Sequence, residues 1–293
     1  MGREFNFNYL QVIAERCPLI QEIDLMLNDD LGIPAMDEAL SRVLLSSQRV
    51  TTIRVDTSIA PNVLTHLGTL PSLTGLTFAL NDVDYRAALL STPELKFAFL
   101  LSLDITTSSQ NLEPLLGLLD VMPIERLRTL RIVLKLFHRE DTHTIGNAQL
   151  LYRPPTTQSL QRLIATVSKF KRLQTLSILP WIFGSHLPEH TVSGDALRPL
   201  LELRELSELD MSRTPFVLAP NDAERMARAW PQLTSLHLGD HGRHNVPEVR
   251  PADLLHFVKH CPRLVELGLQ LLCDDNPIPT DGRPAGSYME SPL

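Results

Sequence analysis

Trp230-Pro231-Gln232-Leu233-Thr234-Ser235-Leu236-His237-Leu238 decides how the rest of the chain is read. Its last six residues have the form leucine, two variable residues, leucine, one variable residue, leucine. The same phrase, with other aliphatic residues, Phe or Met admitted, begins at Ile20, Val50, Leu73, Leu100, Leu127, Leu173, Leu206, Leu233 and Leu264. Successive starts lie 30, 23, 27, 27, 46, 33, 27 and 31 residues apart. A unit of this length cannot bury its own apolar face, so such units stack and share one core.

The residues upstream of each phrase are also regular. An apolar side chain stands three residues before the first leucine: Cys17, Leu70, Phe97, Ile124, Phe170, Leu203, Trp230 and Cys261, with Ser47 the exception. Pro18, Pro71, Pro231 and Pro262 follow it in four repeats. Further upstream the spacing is helical. Leu254, Phe257, Val258 and Cys261 fall at i, i+3, i+4 and i+7, as do Ala223, Met226, Ala227 and Trp230, and Leu10, Ile13, Ala14 and Cys17. That spacing lays one apolar stripe along a helix. Asn221, with Glu224 three residues on, reads as a capped helix start. The prolines stop each helix, because proline lacks an amide proton and clashes with the preceding turn. The alternation over leucine-x-leucine then predicts a short strand. The expectation is an α/β solenoid of parallel strands with helices outside.

This pattern resembles a leucine-rich repeat array of the helical, intracellular type. The resemblance implies a horseshoe, with short parallel strands on the concave face and helices on the convex face. It covers about nine irregular repeats over residues 1–272, interrupted by a long insertion at about 134–160. The Asn that the family often places three residues after the strand is present at Asn28 and Asn81; other repeats depart from it. The degenerate repeats and the Cys-Pro-x-Leu phrase at Cys17 and Cys261 resemble the repeat regions of fungal F-box proteins. There the array recruits a target, and an N-terminal F-box docks on a cullin–RING ubiquitin ligase. No F-box pattern precedes the first repeat here, so such a module is expected to be lost or to lie upstream.

Composition fits this expectation. The chain has 293 residues, longer than a single compact core comfortably grows, but a solenoid extends its core in one dimension. No apolar run approaches the ~20 residues that span a bilayer, and Met1-Gly2-Arg3-Glu4-Phe5 lacks the apolar segment of a signal peptide. Three cysteines, odd and sparse, argue against a secreted disulfide scaffold. Cys17 and Cys261 occupy helix-stripe positions and read as small buried hydrophobes. Cytoplasm or nucleus is the expected location. The formal charge of −7, from 27 Lys and Arg against 34 Asp and Glu, disfavours nucleic acid as partner. The basic run Lys169-Phe170-Lys171-Arg172 reads as a solvated helix end. Residues 273–293, rich in Pro, Gly and acid and without periodicity, read as a disordered tail.

Within each strand the leucines point to the core and their neighbours to the open face. On that face acid gathers at both ends, while the middle is small, hydroxylic and punctuated by Arg54 and Arg131. The candidate partner-binding residues are Arg54, Asp104, Arg131, Glu208, Asp210 and His237, joined by Trp181 and Phe183. The last two follow the sixth strand in Pro180-Trp181-Ile182-Phe183-Gly184, where aromatic side chains are suited to anchor an interface. That loop and the long insertion are expected to share one edge with Arg131.

Catalysis finds little support. His237, Asp240, His241 and His244 are the densest set of potential metal ligands, but they leave a strand into a turn at Gly239 and Gly242, without the H-E-x-x-H arrangement. No phosphate loop, dinucleotide fingerprint or G-x-S-x-G elbow is present. No enzyme activity, cofactor or metal is expected, and no membrane contact. The expected role is a protein-interaction module that recognises a protein target, resembling the substrate-binding part of an SCF-type ubiquitin-ligase adaptor. Ligase components would be further partners if an F-box exists upstream. The alternative is a ligase-independent repeat scaffold, including a GTPase-regulator-like protein.

Overall fold

A computed structural model of the protein describes residues 12–13, 16–17, 19–26, 34–80, 85–91, 97–108, 112–122, 125–135, 156–181, 192–212, 214, 216–239 and 249–272. Nine strands form one sheet: β1 (Glu22–Leu25), β2 (Thr52–Ser58), β3 (Gly75–Leu80), β4 (Ser102–Ser108), β5 (Thr129–Lys135), β6 (Thr175–Trp181), β8 (Glu208–Met211), β10 (Ser235–Leu238) and β11 (Glu266–Gly268). They lie side by side in chain order, and every neighbouring pair is parallel. Each repeated phrase therefore supplies one strand of a single parallel sheet, an arrangement compatible with an α/β solenoid.

The alternation read from the leucines is the alternation of burial. In β4 and β5 the side chains of Leu103, Ile105, Leu130 and Ile132 are fully buried, while Ser102, Asp104, Thr129 and Arg131 are partly or fully open to solvent. The buried face is covered by α1 (Pro34–Ser46), α2 (Pro61–Thr69), α3 (Tyr85–Leu90), α4 (Glu113–Val121), α5 (Thr157–Val167), a 3₁₀ helix (Gly194–Glu202), α6 (Pro220–Ala229) and α7 (Leu255–His260). Each packs on the next in chain order. Their buried side chains and those of the strands belong to one continuous apolar core.

Two backbone devices set the joints. In six repeats the carbonyl of the residue three before the first leucine accepts that leucine's N–H, as from Leu100 to Phe97, Leu173 to Phe170 and Leu233 to Trp230, each within 3.0–3.1 Å. Then the carbonyl of the residue after the first leucine accepts two N–H groups from the following repeat. Thr51 O takes Thr74 N at 2.8 Å and Gly75 N at 3.0 Å; Gln174 O takes Ser207 N at 2.7 Å and Glu208 N at 2.9 Å. The same doubled bond recurs at Gln21, Thr74, Leu101, Arg128, Ser207 and Thr234. Hydroxyls add a third donor: Thr74 Oγ1 reaches Thr51 O at 3.0 Å, and Thr234 Oγ1 reaches Ser207 O at 2.9 Å. Each later strand of the large sheet is thus stitched to its predecessor by main-chain groups in addition to side-chain packing.

The fold departs from the sequence expectations at several places. The repeat before β8 carries a nine-residue 3₁₀ helix with Pro199 inside it, where proline denies the backbone a donor. Just before it, β7 (Val192–Ser193) pairs in parallel with β9 (Phe216–Val217), a two-stranded sheet that the repeat pattern does not announce. The capped start expected at Asn221 lies two residues earlier. Pro220 opens α6 with its φ already helical, and Ala219 N donates to Asp222 Oδ2 at 3.0 Å. Cys261 is buried, as read, but Cys17 is exposed. Val258, expected on the buried stripe of α7, is 75% exposed, because among the described residues α7 packs on α6 and has no helix on its other side. The long insertion expected at 134–160 is narrower, since Leu134 and Lys135 belong to β5 and Thr157–Leu160 to α5. Asn28, Asn81 and the tail 273–293 lie outside the described residues.

Candidate functional site

The side of the sheet away from the helices is hollowed into a groove of about 710 Å³, lined from β1 across to β8. The parallel register resolves this open face of the sheet into three transverse rows, of which the second and third contribute to the groove's lining. The first holds Glu22, Thr52, Gly75, Ser102, Thr129, Thr175, Glu208, Ser235 and Glu266. It is hydroxylic in the middle and acidic at its ends. Thr175 Oγ1 donates to Glu208 Oε2 at 3.4 Å, and Ser235 Oγ donates to Glu266 Oε2 at 3.2 Å.

The middle row is the informative one. Read from β1 to β11 it is Asp24, Arg54, Thr77, Asp104, Arg131, Ser177, Asp210, His237 and Gly268. An acid, a basic residue and a small or neutral residue repeat three times. Arg54 Nη1 stands 3.7 Å from Asp24 Oδ2, and Arg131 Nη1 stands 3.4 Å from Asp104 Oδ2. The Arg54–Asp24 pair is long and solvent-facing on both sides, a class worth about 0–1 kcal/mol, whereas in the second pair only Arg131 is open and Asp104 is the more covered partner. Burial pushes the Asp104 carboxyl above its ordinary value, and the Arg131 guanidinium pulls it partly back.

The third triplet departs from the first two. His237 Nε2 lies 3.3 Å from Glu266 Oε2, on the far side from Asp210. Gly268 makes this possible, because a Cβ there would collide with the imidazole at Nδ1. Asp210 accepts the Ser212 N–H at 3.1 Å and forms no ion pair among the described residues. With Glu208 and Glu266 beside it, this end of the face is acidic, and none of its strand positions from β6 onward carries Lys or Arg.

The last row, at Ala79, Thr106, Val133 and Leu179, is mostly apolar and half-buried. The groove therefore sets a charged line beside a mostly apolar one, and the hydroxylic row runs parallel to them outside its lining.

Of the candidate residues, Arg54, Asp104, Arg131, Asp210 and His237 share the charged row, and Glu208 stands one row away. Trp181 is paired at the end of β6, in register with Lys135, but its side chain lies outside the described residues, as do Phe183, the insertion loop and the shared edge expected of them. Asp240, His241 and His244 lie outside them too; among the described residues no three His, Cys, Asp or Glu side chains are grouped to hold a metal ion. Of the basic run, Lys169 pairs with Asp120 and Lys171 with Glu202. Among the described residues no helix is long and apolar enough to cross a membrane. Asp24, Thr77, Ser177 and Gly268 were not among the candidates. The signal that finds them is the column between the second and third leucines of the aligned phrases. Comparison with known protein families and with curated proteins finds no match.

Proposed function

We propose that this chain is a protein-interaction module whose open sheet face holds a target, as the concave face of a leucine-rich repeat horseshoe does. The observation that carries this reading is the groove itself, with polar and charged side chains from successive strands set in register over a continuous apolar core. A face built from many parallel strands presents area rather than an enclosed cavity, which suits a macromolecular partner more than a small molecule. The resemblance to the target-binding half of an SCF-type ubiquitin-ligase adaptor makes a protein due for ubiquitination the leading partner class. A ligase-independent scaffold uses the same face.

The test is proximity labelling in native cells with the unaltered chain and with an Arg131→Glu, Asp210→Arg double variant. The expected result is a set of neighbours lost on the double change while circular dichroism stays unaltered. Neighbours unaffected by the change argue against the face. Retention of the cullin adaptor favours the ligase role; partners without it favour the scaffold.

A further inference from the structure

Taking that face as the partner surface, we propose that its charged row selects an extended protein segment lying across the strands, with cationic side chains every fourth residue. The acids of the row, Asp24, Asp104 and Asp210, stand on the first, fourth and seventh strands of the sheet. Neighbouring strands are about 4.8 Å apart, so successive acids repeat at about 14 Å. Four residues of extended chain advance about 13–14 Å and return the side chain to the same side. A helix does not fit this repeat. Its same-stripe positions, seven and eleven residues on, advance about 10.5 and 16.5 Å and straddle the interval.

The sign of the charge follows from what each acid already has. Arg54 and Arg131 stand beside the first two acids with their own side chains more than half open to solvent, so they can turn toward carboxylates placed midway along the segment, while Asp104 is the more covered of the two acids. His237 is turned to Glu266, so Asp210 is the acid left for the partner's cation. Asp210 is therefore the anchor, and the two flanking pairs set direction and spacing. A guanidinium suits such a carboxylate, because it bonds in a two-pronged geometry.

The experiment uses the full chain and two fluorescent synthetic peptides of identical composition, read by anisotropy. One carries arginine at every fourth residue with aspartate midway on a Ser/Val background. The other carries arginine at every third residue, which puts alternate arginines on opposite sides. The expected result is binding of the first at least about tenfold tighter than the second, weakening with added salt. Asp210→Arg should remove that preference, and a peptide with glutamate in place of its anchoring arginine should restore it. Asp210→Asn, almost unchanged in shape, should show a smaller loss in the same direction. Equal affinity for both spacings, no binding of either, or indifference to Asp210→Arg overturns the inference. If both spacings bind equally and Arg131→Glu abolishes both, the face remains a partner surface and only the periodic segment is lost. If binding survives Arg131→Glu and Asp210→Arg alike, the face itself is in the wrong place.

Discussion

Single buried polar groups show how little slack the core has. Tyr85 is fully buried on α3, and its hydroxyl donates to Ile59 O at 2.8 Å. Burial pushes its phenol up to about 12 from 10.0. A raised value in the folded state means that the fold favours the protonated form. Its contribution is whole below about pH 10 and is lost as pH rises toward 12, on the order of 2–3 kcal/mol across that window. Tyr85→Phe should flatten this alkaline limb of stability measured by urea titration, and lower stability at neutral pH by about 1–3 kcal/mol, because Ile59 O loses its donor. An alkaline limb that survives the change assigns the titration elsewhere. None of this was visible from the repeats, since Tyr85 lies outside every leucine phrase. The charged row was visible: Asp24, Arg54 and Thr77 occupy one column of the aligned phrases. That column becomes one continuous row because the parallel register runs across the strands.

Individual elements obey the repeat rule in the strands, where the backbone stitching holds at every joint, and bend it between strands, where proline or a carboxylate intervenes. Strands β2 to β6 were legible because the period-two burial of leucine leaves one register. The 3₁₀ helix and the β7–β9 pair were not, because they depend on contacts between residues more than twenty apart in sequence. Gly194 is the clearest case. It begins the 3₁₀ helix against the Asp222 carboxylate, which is already held by Ala219 N and Arg225. A Cβ at Gly194 would collide with Asp222 Oδ2 and crowd Leu218 Cδ2 at 3.2 Å. Gly194→Ala should therefore destabilise by about 1–3 kcal/mol, far more than an alanine on an exposed helix face. Asp222→Asn in the same background should not relieve the clash, since its shape is unchanged. The check is the urea midpoint of the three variants; a neutral Gly194→Ala means that the α6 start is not rigid. Trp230 anchors the next joint, its Nε1 donating to Leu200 O at 3.0 Å. Trp230→Ala should cost about 3–5 kcal/mol by the same measurement.

For the whole molecule, stability is the sum of repeats and of the interfaces between them. The inner repeats have a neighbour on each side. Among the described residues β11 is flanked on one side only, and Leu255, Val258 and Val265 near it are exposed. Hydrogen exchange should then be slowest in β4, β5 and β6 and fastest in β11 and β1, with protection falling outward. Uniform protection across the nine strands would mean that the array opens as one block. The number and order of the strands in the large sheet were readable from the spacing of the phrases alone. The exposure of Cys17 and Val258 was not, because a stripe of apolar residues does not say whether a further layer covers it.

The doubled hydrogen bond at each joint is made by main-chain groups, so it is blind to which repeat follows which. Excising residues 101–127 would bring Arg128 and Thr129 to the acceptor on Thr74 that Leu101 and Ser102 now use. The scaffold would close over the gap with the same bonds, yet Asp104 would vanish from the line and two basic side chains would face each other across one neutral position. A chain lengthened or shortened by whole turns would thus be free to keep this architecture while rewriting the message on its surface.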